Sequence, residues 1–122
     1  EGHTQIFVIA SDGSDVSEDT TKHPQQVTRF ENGAGAGLRW HASGDYVACI
    51  ADNRVAMTSV RENDFGATRY LTEGDGAERL NLVCSHDGRM LAFNQAVAHS
   101  SGAKDYAGGD FLQVFVVGFK GF

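Results

Sequence analysis

Helical periodicity, proline and positive charge are what these 122 residues have least of. Pro24 is the only proline, and it pushes His23 into extended backbone. No window sets apolar residues at helical spacing behind a capping residue, which excludes a helical bundle or a mixed architecture. Ten basic residues stand against sixteen acidic ones, for a formal charge of −6, and the arginines are scattered singly. That balance excludes a nucleic-acid partner, which calls for a basic patch. No apolar run approaches the roughly 20 residues of a membrane-spanning helix, and no secretory signal is present. The chain opens on Glu1, not methionine, and reads as a processed or excised segment. Cysteine is nearly absent as well. Cys49 and Cys84 sit in apolar stretches at non-equivalent places, so free buried thiols are expected, with a disulfide as the alternative. Their separation excludes a zinc pair of the short-spaced kind.

What the chain does have is a repeat. Leu38 to Ile50 reads as strand, tight turn, strand, and a related unit recurs from Leu82 to Asn94. Trp40 over Cys84, Gly44 over Gly88, Ala48 over Ala92 and Thr28 over Thr72 all share one offset of 44 residues. A fixed period of that length marks repeat architectures, propeller blades among them. With 41% apolar residues the chain is long enough to bury a core as one domain.

Taken in order, Gln5 to Ala10 is a short strand apolar on both faces, closed by the turn residues Ser11 to Ser14. Residues 15–26 are polar, acidic at Asp15, Glu18 and Asp19, and read as a surface loop. Val27 to Phe30 is a short strand candidate. Gly33, Gly35 and Gly37 alternate with alanines, but a phosphate cradle has to open a helix and this run leads into a strand. It serves as a flexible connection instead. Ala51-Asp52-Asn53 turns the chain into a third strand, Arg54 to Val60. In the second copy Asp87-Gly88 makes the hairpin turn. Its third strand comes late. Val114 corresponds to Val55 at an offset of 59, so 15 residues are inserted within Gln95 to Asp110. The chain is predicted to be all-β throughout.

These residues resemble the TolB-type β-propeller repeat. Val27-Thr28 and Leu71-Thr72 match its opening dipeptide, Trp40 to Gly44 and Cys84 to Gly88 its hairpin, and Ile6-Phe7-Val8 with Asp12-Gly13 its closing strand and turn. Neither hairpin keeps the family's proline, and only the first keeps its tryptophan. The resemblance implies a partial β-propeller of about two and a half to three four-stranded antiparallel blades, with repeats over residues 27–60 and 71–119 after a partial blade at 4–14. It implies a non-catalytic, periplasmic or extracytoplasmic segment that binds protein, by self-association or by meeting the remaining blades. The alternative is the propeller portion of a prolyl-oligopeptidase-like hydrolase or an oligogalacturonate lyase-like enzyme.

No catalytic constellation, metal set or cofactor motif emerges: there is no nucleophile elbow and no paired-histidine motif. His41 and His86, one in each hairpin turn, are candidates to face a shared ligand. The insertion carries the stronger expectation of binding, through His99, Lys104, Asp105 and Tyr106, because loops on rigid scaffolds bear recognition.

Overall fold

A computed structural model describes residues 2–11, 24–35 and 37–122. The predicted Asp12-Gly13 turn, the acidic loop from Asp15 to Asp19, His23 and Ala36 lie outside the described residues. Among the described residues nine strands follow in order: β1 (Phe7–Val8), β2 (Gln25–Gln26), β3 (Arg39–Trp40), β4 (Tyr46–Ala51), β5 (Arg54–Ser59), β6 (Thr68–Tyr70), β7 (Arg79–Cys84), β8 (Met90–Val97) and β9 (Phe111–Gly118). A single 3-10 turn, Glu62–Asp64, is the only helical element among the described residues.

The strands make three separate antiparallel sheets, ordered β1-β2, β3-β4-β5-β6 and β7-β8-β9. The second sheet lies between the other two. Its Cys49, Ala51 and Ala56 pack against Ile6 and Val27 of the first sheet's segment. Its Tyr46, Ala48, Ile50, Val55 and Met57 pack against Leu82, Leu91, Phe93 and Phe119 on the other side. Every residue of β4 is therefore buried, which is what a strand apolar on both alternating faces requires. The β4–β5 turn places Asp52 at φ 53° and Asn53 at φ 61°. Two successive left-handed residues make a type I′ hairpin turn, and short polar Asp and Asn tolerate that geometry.

The all-β expectation holds; the partial β-propeller does not. The sheets carry two, four and three strands, and none closes or curls into a ring of blades. The TolB-type assignment falls with it. So do both functions it implied, the TolB-like binding propeller and the propeller portion of a hydrolase or lyase. The physical reason is that a 44-residue period reports a repeated hairpin, and a hairpin apolar on both faces is satisfied by stacking sheet on sheet. Strand count per sheet depends on something the period does not encode, namely whether a fourth strand finds the open edge. Residues 69–72, predicted to open the second copy, instead lie with β6 on the edge of the second sheet, pairing Tyr70 with Ala56 and Arg69 with Met57.

Smaller differences have local causes. Trp40 of the first hairpin is 57% exposed beside Leu38, Phe7 and Ile9, with which it lines a shallow cleft. β8 runs on to Val97 and pairs with Phe111, so part of the insertion lengthens a hairpin and only residues 98–110 form its loop. In β7 the register shifts between Leu80 and Val83, where Asn81 takes φ 59° as a bulge.

The thiols are both free. Cys49 is buried and Cys84 half-buried. Burial pushes the Cys49 thiol up to about 11 and raises that of Cys84 as well, and only a thiolate attacks an alkylating reagent. Iodoacetamide at pH 8 is therefore expected to modify Cys84 in the native chain and to reach Cys49 only in denaturant. Equal labelling rates, read by peptide mass spectrometry, would contradict the buried position of Cys49.

Candidate functional site

Among the described residues, the outer side of the third sheet leaves apolar surface bare. Strand pairing sets Ala92 opposite Val116 and Asn94 opposite Val114. In the second sheet the corresponding pairs are Ala48 with Met57 and Ile50 with Val55. These positions differ by the offsets of 44 and 59 found in the sequence, so the two faces are equivalent. On the second sheet that face is covered by the third, and Val55 and Met57 are 0% exposed. On the third sheet nothing among the described residues covers it, and Val114 and Val116 are 74% and 64% exposed. Val83, Met90 and Leu112 are further exposed apolar residues of these strands. Asn94 replaces Ile50 as the one polar substitution on the face, and its Oδ1 accepts a bond from Asn81 Nδ2 at 2.8 Å.

The loop 98–110 joins β8 to β9 at one end of this sheet, and its predicted site residues divide by role. His99 Nδ1 lies 2.7 Å from Ser101 Oγ and accepts the Ser101 backbone N–H at 3.1 Å. Lys104 Nζ bonds Asp110 Oδ1 at 2.5 Å. Asp105 Oδ1 accepts the N–H groups of Ala107 and Gly109 at 2.9 and 2.8 Å. All three thus hold the loop's own shape. Tyr106 is fully exposed and makes no side-chain bond among the described residues.

His41 and His86 are not brought to a common ligand. His41 is fastened inside the structure: its Nε2 is 2.7 Å from Gly88 O and its Nδ1 is 2.8 Å from Ser43 Oγ. The Ser43 N–H donates to Nδ1 at 3.2 Å, so Nδ1 is an acceptor and Nε2–H donates to Gly88. Tyr46 and Phe119 meet the ring edge-on at 5.4 and 5.2 Å between centroids. The imidazole is a strut joining the first hairpin turn to the second. His86 is exposed at the second turn. Among the described residues no group of three or more His, Cys, Asp or Glu is placed to hold a metal.

Two sets of residues escaped the sequence reasoning. Arg79 is buried at the start of β7, and its guanidinium bonds Gln95 Oε1, the carbonyls of Asn53 and Glu73, and Asp75. The bond from Arg79 holds the Asp75 carboxyl below its usual range, helped by the Ala77 N–H. A lone basic residue at the head of an apolar run is a faint signal, since its partners come from three other segments. The other set is Thr28 and Thr72, whose shared register is visible in the sequence but whose bonding is not. Each hydroxyl accepts a strand N–H, from Ile6 at 2.9 Å and from Val55 at 3.0 Å.

No helix among the described residues is long and apolar enough to cross a membrane. No family model matches the chain, and no solved structure matches it. Among curated proteins it is similar to the "Uncharacterized protein YidR" of Escherichia coli (strain K12), 28% identical over 94 residues. The similarity covers 75% of this chain and 20% of the relative, so the chain spans about a fifth of that protein's length.

Proposed function

We propose that the chain is a protein-docking module, whose outer face on β7-β8-β9 receives the apolar face of a partner's β-sheet. The observation that carries this reading is the equivalence of two faces, one sealed by a sheet and one bare. The second sheet buries Val55 and Met57 under Leu82, Leu91 and Phe93 of the third. Val114 and Val116 offer the same shape and chemistry at the same register, and an apolar sheet face is what their equivalents accept. Removing such a surface from water contributes about 25 cal/mol per Å², which favours a sheet over a small polar ligand. Tyr106, on the loop at the end of the same sheet, supplies an adaptable contact at the rim. His99, Lys104 and Asp105 act by keeping that loop in shape.

The test is site-specific photo-crosslinking in cells that make the protein. A photo-reactive side chain at position 116 is expected to give a discrete protein adduct that maps to an apolar strand of the partner. The same group at exposed position 29 is expected to give none, and Val114→Asp is expected to abolish the adduct at 116. Equal adducts at both positions, or none at 116, would overturn the reading.

A further inference from the structure

The first two sheets end in one and the same clamp. In the first, the Val27 N–H donates to Ile6 O at 2.8 Å and the Ile6 N–H donates to Thr28 Oγ1 at 2.9 Å. In the second, the Leu71 N–H donates to Val55 O at 2.8 Å and the Val55 N–H donates to Thr72 Oγ1 at 3.0 Å. Each clamp takes both backbone groups of one residue on the side of the strand that follows in the sheet, β2 for Ile6 and β6 for Val55. For Val55 this is the side away from its hairpin partner β4. An aliphatic residue followed by threonine does this well, because the hydroxyl captures the N–H where the chain leaves the sheet. The aliphatic side chains tuck beside the strand they clamp: Val27 is in the core between the first and second sheets, and Leu71 packs against the core between the second and third.

Val114 is the third residue in this series. Val55 stands opposite Ile50 and Val114 opposite Asn94, so the Val114 N–H and C=O also point away from the hairpin partner, along the free edge of β9. Among the described residues no donor or acceptor meets them, and the third sheet has no counterpart of β6. β9 is a long apolar edge strand, the kind that templates pairing with another chain.

We infer that the outer edge of β9 binds an extended segment of a partner polypeptide, in which an aliphatic residue followed by threonine clamps Val114. This rests on the reading that the third sheet takes a protein partner, and it names how the partner reaches the edge. By the pattern of Val27 and Leu71, the aliphatic residue of the segment lands on the bare face beside Val114 and Val116, so edge and face form one surface. A second copy of these 122 residues is not the expected occupant, because Val27-Thr28 and Leu71-Thr72 are already engaged within their own molecule.

The chain's own clamp supplies the probe. A capped, fluorescently labelled peptide Ala-Thr-Arg-Tyr-Leu-Thr, the sequence of residues 67–72, is titrated into the whole chain and followed by anisotropy. Saturable binding is expected, about tenfold weaker when the terminal threonine is replaced by valine and one shielded hydrogen bond is lost. Val114→Pro removes the edge N–H without touching the β8 ladder, a placement proline tolerates on an edge strand. It is expected to abolish binding while the circular dichroism stays unchanged. Should Val114→Pro not fold, N-methylation of the peptide's leucine removes the donor to Val114 O and is expected to abolish binding to the unaltered chain. Equal affinity of the valine or N-methyl peptide would overturn the inference. Self-association of the chain alone that the peptide competes away would also overturn it, by making the occupant a second copy. Loss of peptide binding with the adduct at position 116 retained removes the edge inference alone. The converse result removes the face reading alone.

Discussion

Arg79→Ala is expected to lower the unfolding free energy by about 3 kcal/mol, measured by urea denaturation with an unchanged m-value. The guanidinium reaches the Asn53 carbonyl at 2.9 Å, the Glu73 carbonyl at 3.2 Å, Gln95 Oε1 at 2.9 Å and Asp75 Oδ2 at 3.1 Å. Asn53 belongs to the hairpin turn of the second sheet, Gln95 to β8 of the third, and Glu73 and Asp75 to the link between them. One planar fork therefore ties two sheets and their connection together. Removing it deletes these part-buried bonds at once and leaves unfilled the space of a side chain that is only 4% exposed. Arg79→Lys keeps the charge but has no fork to span four acceptors, so it is expected to recover less than half of the loss. A cost below about 1 kcal/mol for Arg79→Ala would mean water replaces the guanidinium without penalty.

Gly88→Ala is expected to cost about 3 kcal/mol, and only about 1 kcal/mol when His41 is already alanine. Gly88 has φ 75°, and a Cβ there would stand 2.7 Å from both Cε1 and Nε2 of His41. The left-handed backbone accounts for the smaller cost, which persists in either background. The larger part is the collision with a ring that cannot step aside. Ser43 holds it at Nδ1, the Gly88 carbonyl holds it at Nε2, and Tyr46 and Phe119 close its edges. A double-mutant cycle by thermal or urea unfolding reads the difference. Additive effects would show that the His41 strut is not rigid.

Much of the local structure was legible because its causes are local. Asp52-Asn53 and Asp87-Gly88 turn where short polar residues and glycine accept left-handed backbone. Short apolar runs bounded by turn residues made Tyr46 to Ala51 and Phe111 to Gly118 strands. The insertion between β8 and β9 followed from two offsets, though its first residues, Gln95 to Val97, extend β8 and only 98–110 form the loop. The candidate site was legible only in part. Lys104, Asp105 and His99 were singled out by composition, yet their charges and ring are spent inside the loop, because short-range partners such as Asp110 and Ser101 were available.

The sequence alone settled the all-β class, the hairpin repeat and the register that makes Val55 and Val114 equivalent. It carried no instruction about which surface meets which. β4 and β9 are both apolar on two faces; β4 is wholly buried, while Val114 and Val116 of β9 stand in solvent. An apolar run records that a strand suits cover on both sides, but cover is supplied by segments distant in the chain. For the same reason Trp40 lies exposed, Arg79 gathers acceptors from three segments, and three sheets stack without closing a ring. Those outcomes depend on long-range packing, and they leave the edge and outer face of the third sheet open.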